Sequence, residues 1–393
     1  MPETVQASAA SVKHDVADTL IAVITGIPIA LVVITICVTP FSNIMGGRDF
    51  VVYWATGQQL VHHLNPYDKP QMMRIEHAAG VKLDAVGFMR NPPWGLPLTF
   101  PLGLLGLRFA AFLWSLVLLV SLVASVHWLH DLYGRPPTLR HWIAVSFAPG
   151  VICLLIGQTS IFVLLGYVLF IKLHRTRPYA SGAALWLCSL KPHLLLVIGV
   201  VLLAWIVNEK RHRILAGAAV ALAASMALTI AIYPAAIAQY SAMMRDSNIQ
   251  EEAIPCMSIV LRKLVDAHAN WLQYVPAALG CVWAVVYWWR RRAAWDWLRE
   301  GNRVALISLL VSPYSWITDQ VIAIPALLEG SYRTRSQVLP LLLASASIVI
   351  EAELLSGIKL ASNLYLWAAP AWLVWYATAL RTKSHEVQTA ASK

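Results

Sequence analysis

Asp49 is the first residue along the chain whose type and setting suit chemistry. It is the only carboxylate between Asp18 and Asp68, and it stands in Gly46-Gly47-Arg48-Asp49, just after the apolar run 19–40. A carboxylate there has two jobs open to it. It can accept from the free N–H groups of a helix's first turn, or it can take a proton from a hydroxyl as a general base; the two need not exclude each other. Lys191 and His193 stand between two short apolar runs. A cation at membrane depth is expensive and is a functional candidate by default. It suits a phosphate, unless the lysine simply stretches its stem to water. Gln158 follows a glycine between two further apolar runs and reads either as a binding amide or as a helix cap. Asp319, next to Thr318, reads as the ion-pair partner of a nearby arginine. Two more motifs are Arg90-Asn91-Pro92-Pro93-Trp94, whose prolines fix an extended approach to the next helix, and Ser312-Pro313-Tyr314-Ser315-Trp316.

The elements that must position these residues are helices. Hydrophobic residues make up 59% of the 393 and charged residues 13%, about half the ~25% of a soluble domain. The pattern is all-α and polytopic, with about 12 transmembrane segments. Apolar runs alternate with short polar links, which argues against a β-barrel. Four runs, 142–156, 161–171, 179–190 and 194–207, are only about 11 to 15 residues long, short of the roughly 20 that a bilayer core needs. Helices so short cross only where one end opens into a recess that satisfies polar backbone, which puts Gln158, Lys191 and His193 at a cavity floor. The run 96–126 fits either a tilted helix or a short re-entrant piece followed by a span. Phe50, Tyr53, Trp54, Gly57, Val61 and Leu64 share one face of a helix, with Asp49, Thr56, Gln59 and His63 opposite. That is an amphipathic helix lying in the interface, ended by Asn65-Pro66.

Charge sets the orientation. The net charge is +10, but the Lys and Arg sit in short links, as membrane orientation requires, so nucleic acid is not the implied partner. Alternating the segments puts 19 of the 30 Lys and Arg on the side of the N-terminus; the short links opposite hold only Lys191 and Lys359. Both termini are then cytoplasmic. The organisation is a tail 1–18, one membrane domain 19–380 with outer loops 41–93 and 234–270, and a tail 381–393. The run 19–40 reads as a retained anchor. The five cysteines are scattered, with no C-x-x-C spacing, so neither a disulfide framework nor a metal site is indicated. No Walker loop, H-E-x-x-H or G-x-S-x-G is present.

Taken together, Gly47-Arg48-Asp49-Phe50 with Tyr53-Trp54-Ala55, Asn65-Pro66-Tyr67, Asn91-Pro92-Pro93, Gly157-Gln158, Lys191-Pro192-His193 and Ser312 to Trp316 resemble glycosyltransferase family 87 over roughly residues 45–330. The resemblance implies a C-type glycosyltransferase fold in a bacterial plasma membrane, with the active site on the outer, periplasmic face. It also implies transfer of a sugar, typically mannose and in some members arabinose, from a polyprenyl-phosphate donor to a glycolipid or glycan acceptor, with inversion and no cofactor. Asp49 matches the acidic residue taken as general base. Arg48, Tyr53, Asn91, Gln158, Lys191, His193, Ser312 and Tyr314 are the donor-binding candidates, with no metal ligand among them. Members often carry a histidine just after the position of Trp316; Ile317-Thr318-Asp319 stands here instead, so no role is carried over to it. The rival class is a lipid-sugar flippase, which predicts polar residues on both faces and internal repeats; no convincing repeat is present.

Overall fold

The computed structural model describes residues 48–81, 87–134, 139–246, 254–356 and 360–381, with Thr19, Leu20, Val23 and Gly26 before them. The expected anchor 19–40, both tails, and parts of the two long loops therefore lie largely outside the described residues. Every regular element among the described residues is helical, as the all-α pattern expects.

The first long loop holds α1 (Arg48–Val61) and α2 (Lys69–Ala78). A 3-10 turn over Pro93–Leu98 and the one-turn α3 (Phe100–Gly103) lead into α4 (Leu107–Tyr133). The run 96–126 is thus two pieces, a short turn and a long helix, and not one continuous helix. Then come α5 (Ala148–Ile156), α6 (Ser160–Leu173), α7 (Pro178–Cys188) and α8 (Leu196–Asn208), the last entered through a 3-10 turn at Pro192–Leu195. α9 (His212–Ile232), α10 (Ala236–Asp246), α11 (Met257–Val265), α12 (Val275–Arg291) and α13 (Glu300–Val311) follow. A 3-10 turn over Ile317–Ala323 runs into α14 (Ile324–Arg333), and α15 (Val338–Leu355) and α16 (Ala368–Arg381) close the fold.

The short helices stop where polar and proline punctuation falls. Gly157 ends α5 at φ +75°, a left-handed conformation that glycine adopts without Cβ strain. Pro178 starts α7, where its missing N–H costs nothing. α5 and α6 are apolar all round, and they are buried almost throughout, as such helices must be.

Two described helices, α4 and α9, are long and apolar enough to cross a membrane by length and composition. Large apolar side chains stay exposed on α4 (Phe109, Phe112, Val120), α9 (Val220, Leu228), α12 (Leu279, Val282) and α15 (Val338, Leu342). Apolar exteriors of that extent are foreign to soluble monomers.

α1 departs from its expected place. It forms where the periodicity puts it, but both faces are covered. Thr56 and Gln59, on the face expected to meet water and headgroups, are 0% and 2% exposed. The Gln59 amide donates to the Asn65 carbonyl oxygen at 3.2 Å. The partner on the other side is protein: α1 packs on α3 and α4.

Glycines permit the closest approaches. A Cβ on Gly57 would lie 2.2 Å from the Thr99 carbonyl oxygen, and one on Gly103 would lie 2.1 Å from that of Gly57, so α1 and α3 touch backbone to backbone. Gly182 of α7 and Gly217 of α9 do the same, with Cβ positions 1.9 Å from the Ile214 oxygen and 2.1 Å from the Tyr179 oxygen. Small residues at crossings let helices approach this closely. Gly182→Ala should therefore destabilise the protein by about 1–3 kcal/mol, read as a lowered thermal midpoint. Gly199→Ala, whose Cβ meets nothing within 4 Å, should leave the midpoint unchanged.

Candidate active site

The start of α6 is where the polar residues meet. Gly157 turns the chain out of α5 and presents Gln158, Thr159 and Ser160 in succession. A Cβ on Gly157 would sit 2.6 Å from the Phe50 Cβ, so this turn packs directly on α1, and the Trp114 indole donates to its carbonyl oxygen at 2.7 Å. Gly157→Ala should then cost stability twice, through a left-handed non-glycine residue, about 1–2 kcal/mol, and through displacement of α1. A lowered thermal midpoint is the expected readout.

The Gln158 amide is oriented by its neighbours. Its Oε1 accepts from the Tyr53 hydroxyl (3.0 Å), the Thr159 N–H (2.8 Å) and the Thr159 hydroxyl (3.1 Å). Its Nε2 is left to donate to Oδ2 of Asp49 at 3.0 Å. Asp49 is half-buried in the first turn of α1, where the free N–H groups and the helix dipole favour a negative charge. The Asn91 amide donates to the Thr159 hydroxyl (3.3 Å) and to the Leu190 carbonyl oxygen (3.0 Å). The turn carrying Asn91 is in turn tied to α9, whose Ser225 and Thr229 hydroxyls donate to the Trp94 and Pro93 carbonyl oxygens.

Ser160 begins a second layer. Its hydroxyl donates to Oδ1 of Asp319 at 2.7 Å and accepts from Lys191 Nζ at 2.9 Å; Lys191 Nζ also donates to Oδ1 of Asp319 at 2.7 Å. The Trp316 N–H donates to the other Asp319 oxygen at 2.9 Å. The Lys191 and Asp319 side chains are 10% and 1% exposed. Burial pushes the Asp319 carboxyl up and the Lys191 ammonium pulls it down, with the balance below the ordinary carboxylate value. Asp319 does pair with a cation, but the partner is Lys191 and not an arginine. Lys191 does not stretch out to the surface: two of its three N–H groups are spent on Ser160 and Asp319, which leaves one.

The rim beside this layer holds the remaining candidates. The His193 and Tyr314 rings stack at 3.9 Å, and the Ser312 hydroxyl donates to the Tyr314 carbonyl oxygen at 2.8 Å, with the His193 oxygen at 3.2 Å. Burial pushes the His193 imidazole down to about 3, so it serves as a neutral ring and not as a cation. Arg48 opens α1, but its side chain lies outside the described residues. Thr159 and Ser160 join the site as well, although a hydroxyl beside a long apolar run carries no functional signal in the sequence.

The arrangement supplies a carboxylate held by one amide, beside a second layer whose charges are neutralised internally. Among the described residues no group of His, Cys, Asp and Glu is placed to hold a metal ion.

Residues 88–313, more than half of the chain, match the sequence model of glycosyltransferase family 87. The match takes in Asn91, Gln158, Lys191, His193 and Ser312 and stops short of Asp49, Tyr314 and Asp319, so it is narrower than the stretch 45–330 over which the motifs run. No curated protein and no solved structure matches the chain.

Proposed function

The chain belongs to glycosyltransferase family 87, and from that footing we propose that it moves a sugar, mannose foremost, from a polyprenyl-phosphate donor to a hydroxyl of a glycolipid or glycan on the outer face of a bacterial plasma membrane. Asp49 is the general base. The observation that carries this reading is its hydrogen bond to Gln158: a residue inside the family match holds a carboxylate outside it at the centre of the polar cluster.

In this mechanism the acceptor hydroxyl loses its proton to Asp49 as its oxygen attacks the anomeric carbon, and the bond to the lipid phosphate breaks with inversion. The phosphate is a good leaving group, so a paired acid of the hydrolase kind is not required. Its charge needs donors. The third Lys191 N–H, the neutral His193 ring and Arg48 at the start of α1 are the groups assigned to it, with Tyr53, Asn91, Gln158, Ser312 and Tyr314 shaping the donor's seat. The fold is read as the C-type glycosyltransferase arrangement of about 12 spans, both termini cytoplasmic. The exposed apolar faces of α4, α9, α12 and α15 support a lipid surrounding for it.

The full-length protein reconstituted in vesicles with a labelled polyprenyl-phospho-sugar and an acceptor glycolipid tests this. Label joined to the acceptor, with polyprenyl phosphate released, is the expected result. Intact labelled donor moved across the bilayer with no acceptor consumed would establish the flippase reading instead.

A further inference from the structure

α6 and α8 both start at the candidate active site, at Ser160 and just after Lys191 to His193, and both end about 20 Å away, given 14 and 13 residues at 1.5 Å per residue. At that far end lies a cavity of about 360 Å³ between the ends of α6, α8 and α12, within the roughly 300–1,000 Å³ of small-molecule sites. None of its lining residues has a part in the chemistry proposed above.

Its inner wall is indole. Trp297 packs edge-on against both Trp205 and Trp295. Trp295 and Trp297 are 9% and 1% exposed, and the N–H of each is buried without a hydrogen-bond partner. A buried donor left unmet is costly, and these two stand unmet in the residues that form this wall.

Its rim is cationic. Arg175, Arg211 and Arg292 line the cavity against one carboxylate, Glu209, which accepts from Asn208. Arg292 lies flat over the Trp289 ring at 3.6 Å and donates one bond to the Trp289 carbonyl oxygen at 3.0 Å. Basic residues at helix C-termini ordinarily offset the dipole or bond the last carbonyl oxygens. The Arg175 and Arg211 guanidinium groups make no hydrogen bond or ion pair to any described residue. Three arginines lining one cavity suit the oxygens of a phosphate ester.

We propose that this cavity is a second ligand site, binding the phosphate headgroup of an anionic lipid. Leu203 and Val207, i and i+4 on the last turns of α8, are exposed and offer an apolar path for acyl chains beside it. Occupancy bridges the ends of α6, α8 and α12.

Thermal unfolding of the purified full-length protein in detergent, titrated with phosphatidylglycerol, phosphatidylcholine or inorganic phosphate, tests this. Phosphatidylglycerol should raise the midpoint of the wild type, and its apparent affinity should fall at least tenfold in the Arg175→Gln/Arg211→Gln double variant. Arg292→Gln should weaken it too and gives a second readout should the double variant fold poorly. The same shift from inorganic phosphate alone would support the phosphate chemistry with a soluble occupant. Equal shifts from both lipids, or affinity unchanged in the variants, would overturn the site.

Discussion

Asp49→Asn should lower kcat for sugar transfer by about 10²–10⁴-fold, the usual contribution of a general base, with KM for the donor nearly unchanged. The carboxamide is the same size as the carboxylate, and its oxygen can still accept from the Gln158 Nε2 that now donates to Asp49 Oδ2. The wall formed by Tyr53, Gln158 and Thr159 therefore stays in place. What the variant loses is the capacity to take a proton from the acceptor hydroxyl. Turnover and donor binding measured in parallel separate the two: a fall in kcat with donor affinity intact is expected, and retained turnover would sink the base assignment. Asp49→Ala should lower activity too but is less informative, since it also removes the partner that orients Gln158.

Lys191→Ala should destabilise the protein by about 3–5 kcal/mol, because it strands a buried carboxylate. Asp319 would keep its bonds from Ser160 and the Trp316 N–H but lose the ammonium that compensates its charge at 1% side-chain exposure. Asp319→Ala should cost a similar amount by stranding the lysine. The double variant Lys191→Met/Asp319→Leu, which removes both charges and keeps volume, should recover most of the loss, since a buried pair is often worth little against well-packed apolar side chains. Thermal or denaturant unfolding of the three variants checks this. If Lys191 acted mainly on the donor phosphate, Lys191→Ala would cut activity with stability intact.

The two predictions rest on different kinds of information. The boundaries of α6, α7 and α8 are readable from the chain because Gly157, Pro178 and the Lys191-Pro192 step interrupt otherwise unbroken apolar runs, and only a helix satisfies backbone polar groups in such surroundings. The nearness of Gln158 and Lys191 is readable as well, since polar stops between short helices must share a recess. The fate of α1 is not. Amphipathic spacing reports two faces of different polarity but not what covers the polar one, and Thr56 and Gln59 meet protein where headgroups were expected. Nor is the partner of Lys191 readable, because Asp319 lies in another turn far along the chain and the hydroxyl between them, Ser160, carries no functional signal in the sequence. The cavity at the other end is invisible for a similar reason. Trp205, Trp295 and Trp297 read singly as interfacial anchors, and Arg175, Arg211 and Arg292 as topology signals, until the helix ends bring them together.

The central claim is that the chain takes its sugar from a lipid phosphate and hands it to a hydroxyl through Asp49. The most direct measurement incubates the purified full-length protein and its Asp49→Asn variant with radiolabelled polyprenyl-phospho-sugars or with the matching nucleotide sugars, each with a membrane glycolipid extract, and follows the label. The account predicts label in the glycolipid from the lipid-linked donor with the wild type only, and none from the nucleotide sugar with either protein. Transfer from the nucleotide sugar, or equal transfer by the asparagine variant, would contradict it.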